Sequence, residues 1–405
     1  ASRHFGIAQA TDDYTRVAMV GSARLLLLGR QWSTGWVAVY NVDGDAQDYI
    51  PLYVRDSAGA LMTSPPTVQQ FALTTVGLSA FVTGGRQADV FSTAVYELSL
   101  PCSNPGNCGS WAQIALLGWS ASLDASSTAA KALTRADHSA VALAGLIYLF
   151  GGQTNNGAYL RDLWSLNATS GAVSQLADLP GLPRAKAAMV TWNQTVASNG
   201  FAVGTMWLLV YGGEQQDVYG DLHWYHVARN TWYSTSFAAT TAVPPALSQS
   251  EMIALSNGQV LLIGGSNPRG RSNTTWMLSP ATVAWASSKQ LDLPSGGGAV
   301  HCAARRTTGK PFQLVAKGPA PLPTSSDAIA QVYCLPSTGV STLEIARLQV
   351  PMITCSASAN LILSASGDSC SDCGALGAQA SSDGLRCDPV SNASLLASVL
   401  GGSLG

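Results

Sequence analysis

Charged residues are scarce in this 405-residue sequence, because they make up only 11% of it. Globular chains usually contain about a quarter. Disordered chains combine many charges with few apolar residues, whereas 47% of this chain is hydrophobic. The composition therefore predicts a folded protein with a large core. The formal net charge is −2 and no basic run occurs, which argues against nucleic acid and against an anionic membrane surface as partners.

Long apolar runs and catalytic fingerprints are also missing. No stretch reaches the roughly 18 consecutive apolar residues of a membrane helix, so we expect no membrane span within this chain. The sequence contains no G-x-S-x-G, phosphate-binding loop, dinucleotide fingerprint or H-E-x-x-H. Its 23 carboxylate residues are thinly spread. We therefore predict no catalytic residue, no metal site and no cofactor.

Histidines are few and no two are adjacent. His223 and His226 are three residues apart on one predicted strand, which places them on opposite faces and argues against a shared metal. His138 and His301 each open the first strand of a repeated segment. A structural role is the favoured interpretation for both, and the alternative is that they belong to one site on a central channel.

Cysteines are even in number and clustered, which favours disulfides in an oxidising compartment. Cys102 and Cys108 flank the turn-rich SNPGN and are expected to pair with each other. Cys302 is expected to pair with Cys334 or Cys355, and these two possibilities stay open. The further candidates are Cys370, Cys373 and Cys387 in a Gly/Ser/Asp-rich tail. Cys370 and Cys373 form a C-x-x-C that lacks the βαβ setting of a redox motif and the second close pair of a zinc site.

Four N-glycosylation sequons begin at Asn167, Asn193, Asn273 and Asn392. They are compatible with secretion. Together with the cysteines they lead us to expect an extracellular or cell-surface protein.

A recurring segment dominates what the sequence does contain. In residues 208–236 an apolar run is followed by a glycine pair and then by aromatic residues at intervals, in the sequence LLVYGGEQQDVYGDLHWYHVARNTWYSTS. Related segments carry the glycine pairs Gly84-Gly85, Gly151-Gly152, Gly212-Gly213 and Gly264-Gly265. Tyr219, Trp232, Trp276 and Trp285 are the aromatic positions singled out. Two degenerate copies, around Gly29 and Gly318, extend the series.

Each copy predicts four short strands, since its runs are β-branched or aromatic and bounded by turn residues. A sharp turn requires positive φ, which glycine reaches without a β-carbon penalty, and small residues let neighbouring backbones approach. The aromatic rings are expected to fill the wedge between one twisted sheet and the next. Stacking such sheets radially buries both faces of each sheet.

This pattern resembles the kelch repeat over roughly residues 10–350. The resemblance implies an all-β, kelch-type β-propeller over residues 1–367, with one four-stranded blade per repeat. The expected blades are 14–55, 70–117, 137–178, 184–236, 248–289 and 298–346. Seven blades are favoured over six, with a partial blade at 350–367 completed by an N-terminal strand. Residues 368–405 are expected to form a small disulfide-containing tail, and 119–134 a loop or one short helix.

Two classes of function compete. The favoured one is a non-catalytic extracellular or cell-surface propeller that binds other proteins or glycans as a structural or assembly component. The alternative is a secreted enzyme on a kelch scaffold, such as a copper-radical oxidase of the galactose or glyoxal oxidase type. Arg269, Arg271, Arg305 and Arg306 are a candidate binding loop set for a carboxylate or sulfated glycan, although solvation of ordinary loops is favoured for them.

Overall fold

The computed structural model describes residues 3–4, 16–20, 24–28, 36–41, 49–53, 69–87, 90–99, 110–113, 127–194, 204–235, 242–255, 258–280, 283–287, 300–305, 312–314, 329–336, 344–351, 353–355, 361–363, 370–373, 378–380 and 387–389. The regular secondary structure of these residues is almost entirely β-strand. The one α-helix among them is α1, Thr128–Leu133, which is capped by Ser127, whose Oγ accepts from Ala130 N at 3.1 Å. This helix lies in the segment expected to be a loop or one short helix.

The described strands form six four-stranded antiparallel sheets, which we number as blades in chain order. β1 (Arg3–His4) belongs to blade 6. Blade 1 contains β2–β5, at Arg16–Val20, Arg24–Leu28, Trp36–Asn41 and Tyr49–Tyr53. Blade 2 contains β6 (Ala72–Val76), β7 (Ser79–Thr83), β10 (Val95–Ser99) and β11 (Ser110–Gln113), with a hairpin of β8 (Arg86–Gln87) and β9 (Val90–Phe91).

Blade 3 contains β12–β15, at Ser139–Leu143, Leu146–Phe150, Leu163–Asn167 and Val173–Gln175. Blade 4 contains β16–β19, at Ala188–Asn193, Met206–Tyr211, Leu222–His226 and Thr231–Thr235, with a 3-10 turn at Val227–Arg229. Blade 5 contains β20 (Glu251–Ala254), β21 (Val260–Ile263), β24 (Thr275–Ser279) and β25 (Ala284–Ser287), with a hairpin of β22 (Ser266–Asn267) and β23 (Gly270–Arg271). Blade 6 contains β26 (Val300–Arg305), β28 (Ile329–Pro336), β29 (Glu344–Pro351) and β1.

The first strand of each blade is the innermost one. Each innermost strand contacts the innermost strands of two neighbouring blades, and the cycle closes between β26 of blade 6 and β2 of blade 1. This radial arrangement is that of a β-propeller.

The N-terminal strand differs from the prediction. It was expected to complete a seventh sheet with residues 350–367, but Arg3 and His4 pair with Ile345 and Glu344 of β29. A sheet edge presents unpaired backbone groups, and β1 pairs with the first two residues of this edge of β29. A seventh four-stranded sheet is not among the sheets that the described strands form.

The strands after blade 6 pair in twos. β30 (Ile353–Cys355) runs parallel to β27 (Phe312–Leu314). β31 (Leu361–Leu363) pairs with β32 (Cys370–Asp372), so that a strand of the expected seventh blade joins a strand of the expected tail. β33 (Ala378–Ala380) pairs with β34 (Cys387–Pro389).

The glycine pairs join each blade to the next. Gly212 and Gly213 have φ of +64° and +93°. Gly213 N donates to Leu247 O at 2.9 Å, and a β-carbon on Gly212 would lie 2.2 Å from that same oxygen. Glycine is therefore required here for both reasons that the sequence indicated, the positive φ and the close approach of the next blade.

Aromatic and aliphatic side chains fill the space between blades. Trp232 is 8% exposed and packs with residues of blade 3, including Tyr148 and Phe150. Trp285 is 6% exposed and belongs to a cluster that spans blades 4 and 5. Trp276 packs at the edge of that same cluster. These rings cover the facing surfaces of adjacent sheets.

Candidate functional site

A polar cavity of about 260 Å³ lies where the innermost strands begin. We call it the axial cavity. Its wall includes Arg16, Gln70, Asp137, Lys186, Gln249 and Glu251, which come from blades 1 to 5. The turns that follow the glycine pairs lie at this same end of the sheets, because second strands run antiparallel to first strands. Polar groups from separate blades thus converge at one point, as they do in ligand sites.

Four residues of the wall share an unusual backbone conformation. Gln70, Asp137, Lys186 and Gln249 have φ between +54° and +57°, and each lies two residues before the innermost strand of its blade. We call these four residues the collar. The equivalent positions of blades 1 and 6, Tyr14 and Gly298, lie outside the described residues.

Main-chain hydrogen bonds connect the collar residues in series. Asp137 N donates to Gln70 O at 2.9 Å, Lys186 N to Asp137 O at 2.8 Å, and Gln249 N to Lys186 O at 3.0 Å. In blades 2 to 5 the residue before the collar also bridges to the residue after the glycine pair, as between Ala136 and Gln153. These contacts hold the collar in a backbone conformation that is unfavourable for residues other than glycine.

The charged groups of the wall interact with one another. Gln70 Nε2 donates to Asp137 Oδ2 at 2.8 Å, and Lys186 Nζ donates to Glu214 Oε1 at 2.7 Å. Burial raises the pKa of Asp137, and the charges of Lys186 and Arg16 only partly oppose this rise. Burial lowers the pKa of Lys186, but the hydrogen bond to Glu214 and the charge of Asp137 outweigh it, so that the pKa is raised overall.

His138 lines the axial cavity and joins blade 3 to blade 2. Its Nε2 is 3.0 Å from Thr83 Oγ1, and a β-carbon on Gly84 would lie only 2.7 Å from its ring carbon Cε1. Burial, together with the charges of Arg135 and Arg16, lowers the pKa of His138 to about 3. The imidazole is therefore neutral near pH 7. Of His301, the other histidine considered for a channel site, the structure describes only the backbone, in β26.

His223 and His226 make separate contacts within blade 4. His223 Nε2 is 2.7 Å from Asp221 Oδ2 and its Nδ1 is 2.9 Å from Ser234 Oγ, which puts a hydroxyl, an imidazole and a carboxylate in line. Asp221 is simultaneously paired with Arg184, and none of the three residues lines the axial cavity. His226 Nδ1 accepts from Arg229 N, and its ring lies 4.8 Å from that of Trp207. Over the described ranges, no three His, Cys, Asp or Glu side chains are grouped to hold a metal ion.

Two buried arginines were not singled out from the sequence. Arg184 is 1% exposed, and its guanidinium binds both carboxylate oxygens of Asp221, at 2.6 and 2.9 Å, and Gly212 O at 3.0 Å. Its backbone oxygen accepts from Gly152 N of the preceding blade at 2.9 Å. Arg135 makes the same bonds to Asp162 and Gly151 one blade earlier. The signal was present, because an arginine precedes each collar residue by two positions in blades 3 and 4.

Tyr219 belongs to this same contact. The centroid of its ring lies 4.7 Å from the guanidinium carbon of Arg184. The same guanidinium donates hydrogen bonds to Asp221. Burial raises the pKa of Asp221, but the hydrogen bonds from His223 and Arg184 outweigh it and hold the pKa well below its usual range.

The structure places some of the cysteines. Cys302 lies directly opposite Cys334 in the antiparallel pair of β26 and β28, whereas Cys355 pairs in register with Leu314. Cys370 and Cys387 lie in the short strands β32 and β34. Cys373 is fully buried and disulfide-bonded. Cys102 and Cys108 lie outside the described residues.

The sequons and the candidate arginines are dispersed. Asn193 and Asn273 are exposed and Asn167 is half-buried, with its Oδ1 accepting from Thr169 N and Ser170 N, while Asn392 lies outside the described residues. Arg269 and Arg271 are exposed in the hairpin after the glycine pair of blade 5. Arg305 ends the innermost strand of blade 6, at the opposite end of its sheet, and Arg306 is not described. The described residues include no helix long and apolar enough to cross a membrane.

Comparison with known proteins adds one match. The kelch motif matches residues 134–180, which begin directly after α1 and cover blade 3. No curated protein matches the chain. The matched segment contains Arg135, Asp137, His138 and the glycine pair that turns blade 3 toward blade 4. This motif and the β-propeller arrangement of the four-stranded sheets together support a kelch-repeat propeller.

Proposed function

We propose that this chain is a non-catalytic binding component that acts outside the cell, with the axial cavity at the centre of its binding surface. Kelch propellers commonly bind proteins, and the fold at a general level is a binding or structural scaffold. The partners proposed here are extracellular proteins or glycans. The observation that carries the proposal is the cavity itself, where the side chains of the collar meet beside the turns that follow the glycine pairs.

The extracellular part of the proposal is supported by the cysteines and sequons. Adjacent antiparallel residues have Cα atoms about 4.5 or 5.5 Å apart, which falls in the range that disulfides span. The register of Cys302 with Cys334 satisfies that requirement. Exposed Asn193 and Asn273 are open to glycosylation.

The non-catalytic part is supported by the hydrogen bonds that already engage polar side chains at the cavity. His138 is held by Thr83, and Lys186 by Glu214. A catalytic acid or base needs a pKa near the working pH, whereas the pKa of His138 is about 3. Copper loading of the full chain, followed by metal analysis and an oxidase assay on galactose and on glyoxal, tests this part. We expect no stoichiometric copper and no peroxide, and peroxide production would reject the proposal.

Binding is tested with the full chain and one collar variant on arrays of extracellular proteins and glycans. Gln249→Gly removes a cavity side chain at φ +57°, where glycine is unstrained. Ala144→Gly is the matched control, because Ala144 has φ +51° in an exposed turn away from the cavity. We expect specific signals that the control keeps and Gln249→Gly loses. Identical signals for all three proteins would place the binding surface elsewhere.

A further inference from the structure

The collar positions carry polar side chains where glycine would be the unstrained choice. At φ of +54° to +57° a β-carbon is disfavoured. Ala144 and Val283 also adopt positive φ away from the cavity, so the backbone conformation alone does not mark a site. What distinguishes the collar is that glutamine, aspartate, lysine and glutamine occupy its four positions and all four line one cavity.

The charges of the cavity wall compensate one another. The Lys186 ammonium lies 2.7 Å from a Glu214 oxygen, and Asp137 accepts from Gln70 at 2.8 Å within the field of Lys186 and Arg16. Arg16 lies over the ring of Phe71, with 5.8 Å between its guanidinium carbon and the ring centroid. A ligand with a net charge would break one of these pairs without replacing it. The wall therefore favours a neutral ligand.

The remaining hydrogen-bonding capacity of the wall is neutral. Ser250 is 7% exposed, and within the described part of the chain its Oγ has no hydrogen-bond partner. The amide of Gln249 has only a long contact, 3.4 Å, from Ser266 Oγ. Hydroxyl groups both donate and accept, so they match an amide and a serine hydroxyl equally well. Between these polar groups Ala140, Ala187 and Met189 give the wall an apolar strip.

The size of the cavity limits the ligand to a single compact unit. Its volume of about 260 Å³ is just below the range of about 300–1,000 Å³ that is typical of pockets for larger ligands. A sugar ring combines a rim of hydroxyl groups with a face of C–H groups, and the wall offers both amide and serine groups for the hydroxyls and alanine and methionine side chains for the C–H face.

We propose that the axial cavity binds one neutral sugar unit, with its hydroxyl groups on Gln249, Ser250 and Gln70 and its C–H face against Ala187 and Met189. This inference rests on the proposed function and specifies its ligand. In this proposal the collar backbone fixes the direction in which the amide side chains enter the cavity.

The test uses the full chain and neutral methyl glycosides of glucose, galactose and mannose, with glucuronic acid and glucosamine as charged counterparts. Saturation-transfer NMR and calorimetry report binding. We expect at least one neutral glycoside to bind, and both charged counterparts to bind at least tenfold more weakly. Gln249→Gly is expected to weaken that binding at least tenfold while its melting temperature stays at or above that of the wild type, since glycine relieves strain. Ala144→Gly should leave affinity unchanged.

Three results would overturn the inference. They are no binding by any neutral glycoside, tighter binding by a charged counterpart, or equal affinity in Gln249→Gly and Ala144→Gly. These results are distinguishable from failure of the proposed function. If Gln249→Gly loses a macromolecular partner on the arrays but no glycoside binds, the proposed function stands and the ligand is of another class.

Discussion

The indole ring of Trp232 in blade 4 packs on the ring of Phe150 in blade 3, with centroids 5.6 Å apart. Trp285 of blade 5 packs on Tyr211 of blade 4 at the same separation, 5.6 Å. In each pair the tryptophan lies on the fourth strand of its blade, and its partner ring immediately precedes the glycine pair of the preceding blade. One aromatic contact thus recurs at two successive blade interfaces.

Replacing Trp232 with Ala is expected to lower the free energy of unfolding by about 3–5 kcal/mol, as for other buried aromatic truncations. The variant also loses the hydrogen bond from the indole Nε1 to Ala177 O, 2.7 Å long. Urea unfolding followed by circular dichroism measures the loss. Thr231→Ala, at an exposed position on the same strand, should change stability by only about 0.5 kcal/mol. A loss below about 1 kcal/mol for Trp232 would contradict its role between blades.

Gly212→Ala is expected to destabilise far more than Gly204→Ala. Both residues have positive φ, and at Gly204 a β-carbon would meet nothing within 4 Å. The control should therefore cost only the left-handed conformation, roughly 1–2 kcal/mol. At Gly212 the β-carbon also meets Leu247 O at 2.2 Å, so the next blade must move. Equal losses in chemical denaturation would show that this approach of the blades is unimportant.

Arg184→Met is expected to cost about 1.5–3 kcal/mol, because it removes the charged hydrogen bonds of a buried guanidinium, whereas the ion pair itself is screened at the 41% exposed side chain of Asp221. Arg184→Lys should recover only part, since an ammonium cannot bind two carboxylate oxygens and Gly212 O in the same geometry. The double variant Arg184→Met with Asp221→Leu should lose less than the two single variants together, which a double-mutant cycle measures. Arg161→Met, at an exposed position, is the control, and additive losses would argue against the coupling.

The pH dependence of stability is expected to contain a contribution from His138. Its pKa falls from 6.5 to about 3 on folding, so between these values the unfolded chain binds the additional proton and stability falls as pH falls. From pH 7.5 to pH 5.0 the contribution is about 2 kcal/mol. Unfolding measured at both values for the wild type and His138→Asn isolates it by difference. An identical pH dependence in the two proteins would contradict the assignment.

Cys302 and Cys334 are expected to form a disulfide, because they are direct partners across β26 and β28. Peptide mapping of non-reduced native protein should recover the two cysteines in one linked peptide. Cys302→Ser is then expected to leave Cys334 reactive to a thiol reagent after unfolding. Recovery of Cys302 linked to Cys355 would instead select the other pairing that the sequence left open.

Recurring local patterns were predictable from the sequence, and single long-range contacts were not. The glycine pairs and their aromatic residues appear in several copies, so the strands of blades 3 to 5 and the turns between them follow from the pattern. The strand at Arg3–His4 has only two residues and no pattern, and the edge of β29 decides its place. Because no sequence pattern assigned this strand to β29, it was expected in a seventh sheet.

The collar was not predicted because its four positions do not carry one recurring residue type. The collar residues correspond only in their position and their backbone conformation. Hydrogen bonds from neighbouring blades hold that conformation. The arginines two positions earlier had a visible signal, since Arg135 and Arg184 recur at the same offset. Their burial depends on Asp162 and Asp221, which are 27 and 37 residues away.

The backbone bonds that run from Gln70 through Asp137 and Lys186 to Gln249 have a mechanical consequence. Blade 3 or blade 4 cannot tilt outward alone without stretching an amide-to-carbonyl link to each neighbour, so the spacing of blades 2 to 5 around the opening is set by peptide groups and is independent of side-chain identity. Exchanging the four side chains should therefore alter what enters while leaving the aperture itself unchanged.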